Sequence, residues 1–154
     1  MTSNSETKLI IPGLTGIYET FGPLSFALLR FAFGATLFWH GYFKLFHGAA
    51  PIVANKILTP MGFPAPLAWA YWLGVLEFFG GAMIAFGLLT RPIALLLVIE
   101  MIIVTFGWNF RFGFFFTAPG GGWEFPLALL TSSILFLFYG GGRYSIDRTI
   151  GKEF

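Results

Sequence analysis

Apolar residues are concentrated in four stretches of the chain, and prolines, glycines or charged residues interrupt the pattern between them. The stretches cover about residues 22–45, 67–89, 92–108 and 125–139, and the last of them is short. A helix that crosses the ~30 Å hydrocarbon core of a bilayer needs about 20 apolar residues. The pattern therefore predicts four membrane-spanning helices, and the 154 residues leave room for a single domain over residues 1–154.

The residues before the first stretch follow a different pattern. Met1–Lys8 is polar, and we expect it to be disordered. Leu9–Phe21 mixes apolar residues with proline and glycine, and it is too short and too broken to span, so we expect it to lie in the membrane interface or to be re-entrant. Because Pro23 suits the start of a helix, the first span is predicted to begin near Gly22. The predicted fold is all-α, an integral membrane four-helix bundle with an interfacial N-terminal segment.

The composition agrees with a protein whose main partner is the lipid bilayer. Soluble domains contain about 25% charged residues, whereas this chain contains 10%, and 56% of its residues are hydrophobic. A net charge of +2 without any basic run argues against a nucleic-acid partner. Cysteine is absent, which excludes disulfides, dithiol redox chemistry and cysteine-ligated metals. His40 and His47 are the only histidines and are too few for a metal site, so we predict none.

The distribution of basic residues predicts the orientation of the chain. Lysine and arginine are more frequent on the cytoplasmic side of membrane proteins. Five lie beside the termini and the turn between the second and third spans, namely Lys8, Arg91, Arg143, Arg148 and Lys152. Three lie toward the other side, namely Lys44, Lys56 and Arg111. We therefore predict a bacterial-type inner membrane protein with both termini in the cytoplasm.

Charged residues inside the spans are the candidates for function. The first span carries Arg30, His40 and Lys44 within an arc of roughly 120°. A charge at the centre of a membrane helix costs ~2.5–3.5 kcal/mol on insertion scales, so these groups need partners inside the protein. The other spans supply one carboxylate each, namely Glu77, Glu100 and Glu124.

Counting residues from the span ends gives each charge a depth. At ~1.5 Å per residue, Arg30 and Glu100 are ~12 Å from the side that carries the termini, and Glu77 is ~18 Å from it. We therefore predict an inner cluster of Arg30, Glu77 and Glu100. A second group near the outer face comprises Lys44, His40, Glu124 and Arg111. Either group could bind a ligand or carry protons, or could simply hold the helices together.

Several short motifs together resemble those of the DoxX family. They are His40-Gly41-x-x-Lys44, Glu77-x-x-Gly80-Gly81, Gly87-Leu88-Leu89-Thr90-Arg91, Gly113-Phe114-Phe115, Gly121-Gly122-Trp123-Glu124 and Gly142-Arg143-Tyr144-Ser145-Ile146-Asp147, and they cover roughly Leu28 to Arg148. The resemblance implies a small four-helix membrane protein. The family takes its name from a subunit of an archaeal thiosulfate–quinone oxidoreductase, and other members are linked to membrane redox or oxidative-stress complexes.

The resemblance adds two neighbouring candidate residues. Family members often carry a histidine shortly before the Gly-Phe-Phe motif, and this chain has Trp108 and Asn109 there. The candidate catalytic residues are thus Glu77, Arg30 and Glu100. The candidate cofactor-binding residues are His40, Lys44, Glu124, Arg111, Trp108 and Asn109.

Three functions fit these observations. The first is a small inner-membrane subunit of a quinone-linked redox complex, in which the basic groups donate to the quinone carbonyls and the glutamates carry protons. No redox centre is encoded, so the chain is at most an oxidoreductase subunit, and electrons come from a partner subunit or a bound cofactor. The second is a non-catalytic accessory subunit that packs against a larger membrane complex or its own copies. The third, a small transporter or channel, is disfavoured because the sequence has no internal repeat.

Overall fold

A computed structural model describes residues 9–152, and every regular element in that part of the chain is helical. Three helical segments are long and apolar enough to cross a membrane, namely Pro12–Phe46, Pro66–Phe86 and Thr90–Phe112. A fourth apolar helix, Glu124–Tyr139, has 16 residues and is shorter than a typical span. The prediction of an all-α integral membrane fold is confirmed. The disorder expected for Met1–Lys8 lies outside the described residues.

The first helix, α1, runs from Thr15 to Phe46 and follows the short 3₁₀ turn Pro12–Leu14. The predicted start near Gly22 is wrong, because Pro23 lies inside α1. A proline removes one backbone hydrogen bond to the carbonyl four residues earlier, and that residue, Glu19, is exposed and free to bond water. The 32 residues of α1 measure ~48 Å, so the turns before Gly22 extend beyond a ~30 Å hydrocarbon core.

The remaining helices form the other three arms of the bundle and the turns between them. The second arm is Pro66–Phe86, the third is Thr90–Phe112 and the fourth is Glu124–Tyr139. In chain order they are α2 (Ala49–Val53) with the π-helical turn Ala54–Leu58, α3 (Pro66–Val75) with the π-helical turn Leu76–Gly80, α4 (Gly81–Phe86), α5 (Thr90–Ile102) with the π-helical turn Ile103–Trp108 and the 3₁₀ turn Asn109–Phe112, α6 (Glu124–Tyr139) and α7 (Ile146–Thr149). The segment between Phe46 and Pro66 thus contains a short helix.

Glycine allows α1 to pack directly against the backbone of the second arm. A Cβ atom on Gly41 would lie 2.2 Å from the backbone nitrogen of Phe78, and one on Gly34 would lie 2.4 Å from the carbonyl oxygen of Gly81. Neither position has room for any side chain. The two helices are antiparallel, and this contact sets which residues of α1 face which residues of the second arm.

The apolar core lies between the four arms. Its buried side chains come from α1, the second arm, α5 and α6, and they are Phe33, Leu37, Leu76, Ile84, Ala94, Leu97, Met101, Leu130 and Phe136. The α5 helix packs most extensively on α6, and α1 packs most extensively on α4 and the Leu76–Gly80 turn. Two helix pairs therefore meet along this core.

Candidate functional site

Three charged side chains meet inside the bundle, and we call Lys44, Glu77 and Glu100 the polar cluster. The Lys44 ammonium forms an ion pair with the Glu77 carboxylate, and these side chains are only 13% and 5% exposed. Glu100 is also 5% exposed, and its carboxyl group is within electrostatic reach of Glu77 and Lys44. One ammonium group thus faces two carboxyl groups in a site with little access to solvent.

The register of the helices explains why these three residues meet. Glu77 is about ten residues before the turn at Gly87, and Glu100 is about ten residues after Thr90, where the next helix begins. At ~1.5 Å per residue, both carboxyl groups are ~15 Å from that turn and therefore share a level. Gly41 packs on the residue after Glu77, so Lys44, one helical turn further along α1, reaches the same level.

The polar cluster forms part of the wall of a cavity of about 510 Å³. Most of the lining is apolar and comes from α1, the second and third arms, α6 and the loops at one end of the bundle. The size is typical of small-molecule sites, which are mostly apolar with a few polar groups that orient the ligand. Six candidate residues line this cavity, namely His40, Lys44, Glu77, Glu100, Trp108 and Asn109.

His40 and Asn109 occupy different parts of the cavity wall. The imidazole of His40 lies over the ring of Phe125, with 6.1 Å between ring centroids, and it is within electrostatic reach of Glu77 and Lys44. The side-chain nitrogen of Asn109 donates to the carbonyl oxygen of Gly121 at 2.7 Å. Asn109 therefore holds the glycine-rich loop at the end of the cavity, whereas His40 extends the polar cluster along the wall.

The cavity opens where the second and third arms separate. These arms pack together beside the Gly87 turn, through α4 with α5, and have few contacts at their other ends. Lining residues on both sides of the gap are exposed, and Trp72 and Ile99 are 51% and 50% exposed. In a bilayer this gap faces the lipid chains.

Arg30 does not join Glu77 and Glu100, so the predicted inner cluster of these three residues is wrong. The Arg30 guanidinium donates to the carbonyl oxygens of Gly141 and Tyr144, the latter at 2.6 Å. The depth count failed because it took Gly22 as the level at which the first span begins. Since α1 starts earlier, at Thr15, its start does not mark that level, and Arg30 lies beside the Gly87 turn, with which its guanidinium is in contact. Lys44, which the count assigned to the outer group, takes the place of Arg30.

The segment whose carbonyl groups accept hydrogen bonds from Arg30 continues to Asp147, which carries a carboxylate. Its oxygens accept hydrogen bonds from the backbone N–H of Leu89 at 2.8 Å and from the N–H and hydroxyl of Thr90 at 2.9 and 2.8 Å. Asp147 thus caps the start of α5 and lies near Arg30, to which it is electrostatically attracted. Sequence reasoning did not predict the hydrogen bonds between Thr90 and Asp147, although both residues lie in motifs that the sequence analysis names.

The remaining two candidates lie outside the cavity. The Arg111 guanidinium lies over the ring of Trp108, 3.6 Å from its centroid, and the Glu124 carboxylate accepts a hydrogen bond from the backbone N–H of Phe116 at 3.2 Å. The predicted outer group of Lys44, His40, Glu124 and Arg111 is therefore split between the cavity and the loops. Within residues 9–152, no three histidine, aspartate or glutamate side chains come together as a metal site.

Two of the π-helical turns lie beside the polar cluster. Glu77 is in the turn Leu76–Gly80, and the turn Ile103–Trp108 begins three residues after Glu100. Such turns displace one residue from the helical repeat and occur often at functional sites.

Fold and site together define a helical membrane protein with a lipid-facing apolar cavity and a charged group in its wall. The model of the DoxX family matches residues 25–109, more than half of the chain. The protein therefore belongs to the DoxX family of membrane proteins, which is generally linked to redox or quinone-related roles. Comparison with curated proteins gave no match, and comparison with solved structures gave none either.

Proposed function

We propose that the protein is a small subunit of a quinone-linked redox complex and that the cavity binds the quinone. The observation that supports this is the position of the polar cluster in the wall of an apolar cavity of about 510 Å³. A quinone has a flat ring with two carbonyl oxygens and a long apolar tail. The cavity offers donors beside the ring and a gap between helices for the tail.

The residues of the chain have separate tasks in this proposal. Lys44 and His40 donate hydrogen bonds to a carbonyl oxygen in the cavity. When bound, the quinone would accept two electrons from a redox group of a partner subunit, and it would take up two protons. Glu77 and Glu100 pass those protons to the cavity. Two adjacent carboxyl groups that share a single proton carry one negative charge, which one ammonium group balances, so the cluster can hold a proton without a net charge.

The test compares two isosteric substitutions. Glu77→Gln removes the carboxylate from the cavity wall, and Glu100 remains as a counter-ion for Lys44, so the fold should persist. Glu124→Gln is the matched control, since Glu124 lies outside the cavity. A short-chain quinone titrated into the purified protein should quench the fluorescence of the tryptophans in the lining, which include Trp69 and Trp108.

We expect Glu77→Gln to weaken quinone binding by roughly tenfold, because Lys44 loses the carboxylate that holds its ammonium group in place and with it the geometry of one charge-assisted hydrogen bond to the quinone. The Glu124→Gln protein should bind like the wild type. Equal binding by all three proteins, or no binding by any of them, would rule out this site for quinone. The role of an accessory subunit that packs against a larger complex would then remain.

A further inference from the structure

A second cavity, of about 310 Å³, lies at the opposite end of the bundle, between the end of α6 and the tail. Three basic side chains line it, namely Arg143, Arg148 and Lys152. None of them forms an ion pair with a residue in the range 9–152. The proposed redox function does not use this site, and it is about one bilayer leaflet away from the polar cluster.

The backbone of the tail folds so that the three cations converge. Gly142 has φ +73° and Gly151 has φ +68°, left-handed conformations that glycine adopts readily, and each reverses the chain direction beside a basic residue. The N–H of Lys152 donates to the carbonyl oxygen of Asp147 at 3.2 Å. This bond folds the chain back after α7, so that Lys152 faces the same cavity as Arg143.

Among the described residues, one carboxylate lines this cavity, that of Asp147, and it does not neutralise the cations. Both oxygens of Asp147 accept hydrogen bonds from Leu89 and Thr90, and the residue is 3% exposed. Its charge is directed toward the start of α5 and toward Arg30. The second cavity therefore has an excess of positive charge and few acceptors for it.

The surroundings of this cavity are suited to a membrane surface. Large apolar side chains beside it are exposed, and among them Phe138 and Tyr139 are 70% and 71% exposed. On the tail, Tyr144 and Ile150 are 52% and 55% exposed. Aromatic and aliphatic side chains next to arginine and lysine are typical of segments at the level of the lipid headgroups.

We infer that the second cavity binds the phosphate group of an anionic phospholipid in the leaflet where the tail lies. A guanidinium group matches a phosphate with two parallel hydrogen bonds, and basic pockets on the cytoplasmic side of membrane proteins recognise anionic headgroups. The exposed apolar side chains around the cavity would contact the acyl chains of the same lipid. The predicted cytoplasmic position of the tail agrees with the anionic character of that leaflet.

The test is native mass spectrometry of the full-length protein in detergent, titrated separately with phosphatidylglycerol, phosphatidylcholine and inorganic phosphate. We expect one phosphatidylglycerol to bind more tightly than phosphatidylcholine. The exposed cations can be replaced without disturbing the core, so Arg143→Gln and Arg148→Gln should each weaken phosphatidylglycerol binding roughly fivefold. Lys56→Gln, an exposed cation in the loop after α1, is the matched control and should have no effect.

Three results would overturn the inference. Equal binding of the two lipids would show that the site has no preference for negative charge. Equal losses in Arg148→Gln and Lys56→Gln would show a general charge effect instead of a site. Binding of inorganic phosphate as tight as that of phosphatidylglycerol would show that the cavity recognises a soluble anion.

Discussion

Replacing Gly41 by alanine tests the close contact that sets the register of the bundle. The new Cβ atom would lie 2.2 Å from the backbone nitrogen of Phe78 and 2.7 Å from the carbonyl oxygen of Gly74. Non-bonded heavy atoms prefer separations of about 3.5–4.0 Å, so the two helices would have to move apart by about 1 Å or more. Overpacking of this kind costs about 1–3 kcal/mol, and we expect the upper part of that range because the atoms are backbone atoms that cannot rotate away.

Part of this loss is offset, because alanine favours a helix over glycine by about 1 kcal/mol. The net destabilisation should therefore be about 1–2 kcal/mol, measured by reversible unfolding of the purified protein in mixed micelles. Gly16→Ala is the matched control in the same helix, because a Cβ there has no neighbour within 4 Å. If Gly41→Ala unfolds at the same denaturant concentration as Gly16→Ala, the helices do not approach as described.

Three further predictions concern the buried charges and the orientation. Lys44→Met leaves Glu77 without its ammonium partner and should cost about 3–5 kcal/mol of unfolding free energy, whereas the double variant Lys44→Met/Glu77→Gln should be closer to the wild type in the same assay. Arg30→Leu and Glu100→Gln act at separate sites, so their unfolding free energies should add in the double variant, and a clearly smaller combined loss would show that the sites are coupled. A reporter that is active only outside the cytoplasm should be silent when it is fused after Phe154, and activity there would reverse the predicted orientation.

The apolar pattern was sufficient to predict the helices, because a bilayer requires long apolar segments whose backbone bonds are internal. The bounds were less accurate. The sequence predicts a helix start at Pro23, but a proline in an exposed first part of a helix costs little when water can replace the missing bond. The resulting error of about two turns moved the estimated depth of Arg30 and assigned it to the wrong charges.

The partners of each charge could not be predicted from depth alone. Depth placed Arg30 and Glu100 at ~12 Å and Glu77 at ~18 Å from the same side, whereas the structure brings Glu77 and Glu100 together with Lys44. The choice between Arg30 and Lys44 depends on the register of α1, which the backbone contact at Gly41 determines. The cavity depends on the separation of two arms, which has no simple sequence signal. The roles proposed for the polar cluster remain predictions.

The hydrogen bonds between Arg30 and the tail have a consequence for the synthesis and insertion of the protein. Gly141 and Tyr144 follow Arg30 by 111 and 114 residues, so two of its acceptors are among the last parts of the chain to be synthesised, whereas Ala85, whose carbonyl oxygen accepts at 3.5 Å, follows by 55. At about 5–20 residues per second, the ribosome needs about 6–20 s to reach them after Arg30 has been added. During that interval Arg30 lacks those two acceptors, and the first helix is not yet held by the tail. A chain that ends before Gly141 would never gain them, so we expect its first helix to pack less stably than in a chain that includes the tail.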